Sequence, residues 1–289
     1  MAMSSGPISE QQHAVEVALG HRFAFGANWT RFLRDVDEAR IADAMASLCA
    51  MLECTTLSGR RFLDIGSGSG LFSLAARRLG AEVTSFDYDH ACVACTQALK
   101  DRFYRDDSSW RIAQGSALDL AFVESLGRFD VVYSWGVLHH TGAMWEALVN
   151  AAVPVAPGGV LFIAIYNDQG RMSRVWTWIK RLYNGLPMVL RFIVIVPTFL
   201  RLRGPLFVRS VLRGQPLALW RSTQRGRGMS QWSDFIDWIG GLPFEVAKPE
   251  AIFDFYRQRG FTIRKLKTCG GGYGCNEFVF SAPPAMDRQ

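Results

Sequence analysis

The sequence is short of cysteine, and nothing at its start looks like a secretory signal. Only six cysteines occur among 289 residues, and the Cys92-x-x-Cys95 pair has no second pair or histidine at zinc spacing. We therefore expect reduced thiols in a cytoplasmic protein, with Cys269 and Cys275 as the one pair that a hairpin could bring together. No N-terminal apolar run follows positive charges, which predicts no secretory signal.

One long segment lacks acidic residues altogether. From Arg171 to Ser230 the sequence has twelve Arg or Lys residues and no Asp or Glu. The same segment holds an apolar run, 188–200, which is interrupted by Arg191 and Pro197 and is shorter than the roughly 20 apolar residues of a membrane span. Three interpretations stay open for this segment: a cap over a substrate, a contact between two copies in a homodimer, and a peripheral contact with a membrane.

A glycine-rich turn organises the rest of the chain. An apolar run, 61–65, indicates a buried strand, and it leads through Gly66-Ser67-Gly68-Ser69-Gly70 into a helical pattern over 71–79. A second strand, 81–86, ends at Asp87. Glycines leave no Cβ between the backbone and a ligand, and the exposed N–H groups of the turn can donate to it. Asp87 is placed to accept hydrogen bonds from two ribose hydroxyls, which predicts a nucleotide-binding α/β fold.

Further strands and helices continue the α/β pattern. Strands are predicted at 110–113, 129–134 and 160–165, and a helix at 250–259 precedes two β-like runs, 261–267 and 277–280. A dehydrogenase turn would need a third glycine at position 71, where this sequence has leucine. The dinucleotide-binding pattern is therefore not met.

Three motifs in order resemble one family. Asp64-x-Gly66-x-Gly68-x-Gly70 is similar to the first motif of the class I S-adenosylmethionine (SAM) methyltransferases. The stretches FDVVYSWGVLHHT and VAPGGVLFIAIYND resemble the fourth-strand and fifth-strand motifs of small-molecule methyltransferases, including quinone methylases. The resemblance implies a seven-stranded, mostly parallel Rossmann-like sheet whose last strand is antiparallel. It divides the chain into an N-terminal helical lid (1–55), a SAM-binding core (56–165), a helical insertion (166–248) and a C-terminal helix and hairpin (249–289).

The resemblance also assigns a cofactor site. The acid of the first motif is expected near the methionine end of SAM, Tyr88 over the purine face, and the loop after the third strand beside the adenine. The residues expected to contact SAM are Asp64, Gly66, Ser67, Gly68, Gly70, Asp87, Tyr88, Ser116, Ala117, Ser134 and Trp135.

The acceptor is expected at the end of the fourth strand. His139 and His140 follow that strand, and an imidazole with a pKa near neutrality can deprotonate a hydroxyl. We predict that one of them is the base, favouring His140, while the other orients the loop. Asp168 is a further catalytic candidate, and Tyr166 and Asn167 are candidates for gripping the acceptor. Phe25 and Trp29 are expected either as walls of its pocket or as core residues.

Motifs that the sequence lacks exclude several classes of methyl acceptor. Ser134-Trp135-Gly136 stands where amino-methylases of nucleic acids carry Asn/Asp-Pro-Pro-Tyr/Phe, and no Pro-Cys pair suits attack on a pyrimidine carbon. No cluster of His, Asp and Glu predicts a metal. We expect methylation of a small hydrophobic or aromatic acceptor on oxygen. The alternatives are a membrane-associated quinone or lipid methyltransferase and an RNA methyltransferase that uses the basic insertion.

Overall fold

The computed structural model describes residues 15–26, 29, 33, 36–213 and 231–285. The first residues of the predicted lid and residues 214–230 of the insertion lie outside these ranges. In chain order the elements are α1 (Glu38–Leu52), β1 (Arg61–Ile65), α2 (Leu71–Arg78), β2 (Glu82–Asp87), α3 (His90–Phe103), β3 (Trp110–Gln114), α4 (Leu120–Ser125), β4 (Phe129–Trp135), α5 (Met144–Ala152), β5 (Val155–Tyr166), α6 (Arg171–Gly185), α7 (Phe192–Leu212), α8 (Gln231–Gly240), α9 (Pro249–Arg257), β6 (Thr262–Lys267) and β7 (Cys275–Ser281).

The strands form one seven-stranded sheet in the order β3-β2-β1-β4-β5-β7-β6. Strands β1 to β5 are parallel, and β7 lies antiparallel between β5 and β6. This arrangement confirms the predicted mostly parallel sheet with an antiparallel last strand. The strand order reverses between β1 and β4, and in open α/β sheets ligands bind at the carboxyl ends of the strands at such a switch point.

Helices cover both faces of the sheet. On one face α1 and α2 bury apolar side chains such as Leu48 and Leu74 against β1 and β4. On the other face α5 and α9 bury residues such as Leu148 and Tyr256 against β5 and β7. A strand covered on both faces has no polar side, which explains why β5 is buried continuously from Val160 to Ile165.

Several boundaries differ from the sequence prediction. Strand β5 begins at Val155, before Pro157-Gly158-Gly159, because Val155 pairs with Phe129 across an irregularity in the β4–β5 ladder. Helix α9 spans Pro249–Arg257, so it starts one residue before and ends two residues before the predicted 250–259. Asp37 accepts a hydrogen bond from the Arg40 N–H and fixes the start of α1.

The insertion packs as a small separate cluster. Phe23 from the N-terminal segment joins Tyr183, Val194, Phe235 and Ile239 of the insertion in one apolar group. Of the helices that the structure describes, none has the length and hydropathy that crossing a bilayer requires. All six cysteines, including Cys269 and Cys275, are free thiols in this structure. The Cys269 Sγ lies instead 3.3 Å from the Gly272 carbonyl oxygen.

Candidate active site

The glycine turn after β1 packs directly on the loop after β4. Gly66 has a φ of +78°, and a Cβ added there would lie 2.4 Å from a methyl carbon of Val137. Its N–H donates to the Phe86 carbonyl at 2.8 Å, which ties the turn to β2. Only glycine fits this conformation and this contact together, so the first predicted glycine position has a structural reason that the motif alone did not give.

Asp87 links β2 to the glycine turn. Its Oδ2 accepts from the Gly68 N–H and its Oδ1 from the Asp89 N–H, both at 2.9 Å. Burial raises the pKa of the Asp87 carboxyl to about 6, although these backbone hydrogen bonds pull the pKa down. Each carboxylate oxygen has two lone pairs. The ionised group can therefore hold the turn and still accept from a ligand's hydroxyls.

Asp64 is enclosed inside the domain rather than open to the turn. Its Oδ2 accepts from the Ser73 hydroxyl at 2.5 Å, and Ser73 in turn lies 2.7 Å from the Ser85 hydroxyl. Trp110 donates its indole N–H to Ser85 at 2.9 Å. Burial raises the pKa of Asp64 to about 7. This network joins β1, α2, β2 and β3 underneath the glycine turn.

The N-terminal segment crosses the carboxyl edge of the sheet. The Gly26 N–H donates to Asp89 at 3.0 Å, and the Trp29 indole lies 3.3 Å from the place a Gly68 Cβ would occupy. The Arg22 guanidinium lies 4.7 Å from the Tyr88 ring centroid and donates to the His140 carbonyl at 3.1 Å. One arginine therefore spans the ends of β2 and β4, where the cofactor and acceptor candidates lie.

His140 presents one nitrogen as a hydrogen-bond acceptor. Its Nδ1 lies 2.6 Å from the Pro243 carbonyl oxygen. A carbonyl can only accept, so Nδ1 carries the proton and Nε2 keeps the lone pair. Burial lowers the pKa of His140 to about 3, and the charges of Lys180 and Arg22 act in the same direction. The centroid of the Phe25 ring lies 5.1 Å from that of the imidazole, with the two rings tilted by 51°.

His139 has the opposite arrangement. Its Nδ1 accepts from the Tyr166 N–H at 3.3 Å, so its proton lies on Nε2. That Nε2 is buried and finds no hydrogen-bond partner in the part of the chain that the structure describes. The ring stacks at a tilt 4.0 Å from the Tyr166 ring, and burial lowers its pKa well below the usual value. His139 thus orients the end of β5.

A fully buried lysine, Lys180, lies beside the two histidines and was not predicted from the sequence. The Lys180 ammonium lies 4.6 Å from the Phe244 ring, 5.0 Å from the Trp238 ring and 5.9 Å from the Tyr166 ring. It also donates to the Trp238 carbonyl, which fixes α6 to α8. The i, i+4, i+7 spacing of Trp176, Lys180 and Tyr183 could have placed this lysine on the buried side of α6.

Other predicted cofactor contacts use their polar groups within the fold. The Ser134 hydroxyl donates to the Ile65 carbonyl at 3.0 Å, and the Ser67 hydroxyl lies 2.9 Å from that of Thr96. Ser116 accepts from the Leu118 N–H, and the Ala117 carbonyl accepts from Asn150. Trp135 packs on the core at the carboxyl end of β4. The contacts of these residues with a cofactor remain predictions. The same holds for Gly70, the N-cap residue of α2.

Asp168 and Asn167 lie apart from the glycine turn. Asp168 accepts from the Gly170 N–H and the Ser173 hydroxyl, both at 2.8 Å, and so holds the start of α6. Asn167 accepts from the Asn276 amide and donates to the Gly272 carbonyl, which holds the β6–β7 turn. Both line an open pocket of about 350 Å³, whose lining includes no residue of the glycine turn.

Comparison with known proteins identifies the fold and its chemistry. Residues 34–191, more than half of the chain, match the family described as "Methyltransferase domain". The chain belongs to this family. It is a class I SAM-dependent methyltransferase by its motifs, sheet order and family membership.

Curated relatives match over part of their length. The chain is 35% identical over 115 residues to "Ubiquinone biosynthesis O-methyltransferase" of Caulobacter sp. (strain K31), which is 39% of this chain and 43% of that protein. It is 26% identical over 175 residues to the protein of that name from Rhodopseudomonas palustris (strain BisB5), 57% of this chain and 66% of that one. It is also 33% identical over 120 residues to "tRNA U34 carboxymethyltransferase" of Methylococcus capsulatus (strain Bath), covering 41% and 36%. The chain thus spans less than two thirds of each relative.

Solved structures share the fold. Magnesium protoporphyrin IX methyltransferase from Synechocystis PCC 6803 with bound SAM superposes with a TM-score of 0.52 at 12% identity, over 96% of this chain and 100% of that one. An O-methyltransferase family protein from Burkholderia thailandensis gives 0.55 at 14% identity, over 96% and 69%.

The crevice of this methyltransferase fits its family's cofactor, SAM. Asp87 offers two carboxylate oxygens with spare lone pairs, and the Gly68 N–H fixes the position of this carboxylate. The half-buried Tyr88 ring follows directly on Asp87, and the Arg22 guanidinium lies over one of its faces. Among the described residues, no group of three His, Cys, Asp or Glu side chains is arranged to hold a metal.

Proposed function

We propose that this methyltransferase transfers a methyl group to an oxygen of a small hydrophobic or aromatic acceptor, with His140 receiving the proton. The observation that carries the proposal is the hydrogen bond from His140 Nδ1 to the Pro243 carbonyl, which leaves Nε2 as an acceptor at the carboxyl end of β4. Arg22 holds the backbone of His140 and covers Tyr88, so the base and the cofactor crevice are fixed relative to each other.

SAM, when bound, supplies the methyl group on a sulfonium that an oxygen nucleophile can attack in line. The chain's residues then have three tasks. Asp87 would accept the ribose hydroxyls, and the Gly68 N–H holds that carboxylate in place. His140 would take the acceptor's proton as the C–O bond forms and the C–S bond breaks, which leaves a neutral thioether. His139 orients the loop through Tyr166 without exchanging a proton itself.

The low pKa of His140 limits which acceptor hydroxyls it can deprotonate. An imidazole whose pKa is about 3 remains neutral at every working pH, but it removes a proton readily only from an acidic hydroxyl. A phenol meets this condition better than an aliphatic alcohol. The aromatic rings of Phe25 and Tyr166, which lie 5.1 Å and 5.4 Å from the His140 ring, also suit a flat acceptor.

Relatives named for O-methylation in ubiquinone biosynthesis support oxygen as the methylated atom. The match to a protein named for a tRNA makes RNA the second candidate acceptor. Exposed side chains of the basic insertion include many large aliphatics, such as Met188 and Leu212, which make poor phosphate ligands. A small molecule is therefore the acceptor we propose.

The test is transfer of a labelled methyl group from SAM to a panel of phenols, aliphatic alcohols and bulk RNA. We expect label in the phenols, and His140→Gln should lower kcat by roughly 10²- to 10⁴-fold with unchanged affinity for S-adenosylhomocysteine. His90→Gln, at an exposed position at the start of α3, is the matched control and should keep full activity. Label in RNA alone overturns the acceptor class, and a fully active His140→Gln enzyme overturns the base.

A further inference from the structure

Helix α7 and the turn before it expose many large apolar side chains. Met188 and Leu212 at its two ends are 81% and 82% exposed, and Leu200 in the middle is 61% exposed. We call this set the α7 apolar face and propose that it binds the surface of an anionic lipid bilayer. The face comprises Met188, Val189, Phe192, Ile193, Val196, Leu200, Val208, Val211 and Leu212.

The part of the face from Phe192 to Leu200 lies on one side of the helix. Phe192, Ile193, Val196 and Leu200 recur at helical spacing and are each at least half exposed. Val194 and Thr198, on the other side, are buried, and Val194 packs in the cluster with Phe23 and Phe235. A surface helix of a globular protein normally turns its apolar side inward. Here both sides are apolar, and the outer one faces solvent.

The segment that carries the face is basic. Arg201 and Arg209 of α7 are exposed, as are Arg213 directly after α7 and Arg174 and Arg181 of α6. Between Arg171 and Arg213 the chain has no Asp or Glu. Helix α6 adds Trp178, which is 64% exposed, and tryptophan favours the headgroup region of a membrane. Apolar side chains flanked by arginines are the chemistry that an anionic interface recognises.

The charge pattern also decides against a second copy of this chain. In a two-fold symmetric dimer the same patch lies on both partners. Two such patches would bring arginines together without a carboxylate between positions 171 and 213 to offset them. Because no described helix can cross a bilayer, the contact we propose lies along the membrane surface, with the apolar side chains inserted between headgroups.

Flotation with vesicles tests the proposal directly. The wild-type chain should float with vesicles of phosphatidylglycerol and phosphatidylcholine and stay behind with phosphatidylcholine alone. The double variant Ile193→Asp with Leu200→Asp should lose binding at least about ten-fold, because each insertion of a large aliphatic is lost. Leu266→Asp, an exposed leucine on β6, is the matched control and should float like the wild type.

A second arm isolates the electrostatic contribution. Arg201→Gln with Arg209→Gln should weaken binding to the anionic vesicles by roughly 30-fold, since each basic residue near such a surface contributes about five-fold. The pair Arg102→Gln with Arg105→Gln, exposed on and just after α3, removes the same charge elsewhere and should have little effect. Added salt should weaken the wild type as well.

Three results would overturn the proposal. They are a wild-type chain that never floats, aspartate variants of the α7 apolar face that float like the wild type, and a dimer seen by light scattering that these variants break without any vesicle binding. Titration of every variant with S-adenosylhomocysteine keeps this test separate from the methyl-transfer proposal. A variant that binds S-adenosylhomocysteine with unchanged affinity but no longer floats has lost membrane binding alone.

Discussion

The Asp87 carboxylate accepts a hydrogen bond from the backbone N–H of Gly68 at 2.9 Å. This contact couples the end of β2 to the turn after β1, so the acid predicted for the ribose also shapes the turn predicted for the amino-acid end. Asp87 and the glycine turn, which define the cofactor crevice, are therefore structurally coupled. A change at Asp87 should alter both the geometry of the turn and the affinity for the cofactor.

Affinity for the cofactor should depend on pH through this carboxyl. Its folded-state pKa is raised to about 6, and only the ionised group can hold Gly68 and accept from both ribose hydroxyls. S-adenosylhomocysteine should bind with constant affinity well above pH 6 and about ten-fold more weakly for each pH unit below it. Calorimetry from pH 5 to 8 measures this. In Asp87→Asn the dependence should disappear, and an unchanged slope in that variant would rule out Asp87 as the titrating group.

Gly66→Ala should destabilise the fold strongly. Alanine would have to adopt a φ of +78° and would press its Cβ against Val137. Gly158 has a similar φ of +71° with open space around its Cβ position, so Gly158→Ala reports backbone strain alone. We expect Gly158→Ala to cost about 1 kcal/mol and Gly66→Ala a further 1–3 kcal/mol in urea unfolding. Equal losses for the two variants would refute the close approach of the loops after β1 and β4.

The two adjacent histidines should lower stability in acid. Unfolded, both imidazoles bind protons near pH 6.5; folded, burial delays protonation of His140 to about pH 3. Their contribution to stability therefore falls as pH drops below 6.5, by about 1.4 kcal/mol per pH unit for each ring. Asp64 and Asp87 have raised pKa values and act in the opposite direction.

Asp64 and Asp87 are present in both the wild type and His140→Gln. Their contribution to stability therefore cancels when the two chains are compared. The stability difference between the two chains should shift against the wild type as pH falls from 6.5 to 4, measured by urea unfolding at each pH. A difference that does not change with pH would show that His140 titrates normally.

Lys180→Met should raise the pKa values of His139 and His140. The buried ammonium is one of the charges that oppose their protonation, and methionine keeps its length without the charge. Lys180→Arg keeps the charge and is the matched control. Nuclear magnetic resonance titration of the histidine ring protons, five histidines in all, separates these outcomes. Identical curves for the methionine and arginine variants would contradict the electrostatic coupling.

The mostly parallel sheet with its antiparallel last strand could be predicted from the sequence because the motifs that indicate it are local, whereas the contacts with the cofactor stay predictions. Strand β1, the glycines and Asp87 lie within one short stretch, and backbone geometry ties each residue type to its task. The surroundings of His140 could not be predicted from the sequence, because they are formed by segments that are distant along the chain. Lys180, Pro243 and Arg22 meet His140 from three segments, and no spacing in the sequence relates them. Asp168 looked catalytic by position, yet its carboxylate holds the start of α6.

Calorimetric titration with S-adenosylhomocysteine tests the central claim most directly, in the wild type, in Asp87→Ala and in Glu82→Ala. Glu82 is exposed at the opposite end of β2 and serves as the control for loss of a carboxylate from the same strand. The wild type and Glu82→Ala should bind equally, and Asp87→Ala should bind on the order of 100-fold more weakly, because it loses hydrogen bonds to a charged acceptor. A wild type that does not bind, or an Asp87→Ala variant that binds as tightly as the wild type, would contradict the account.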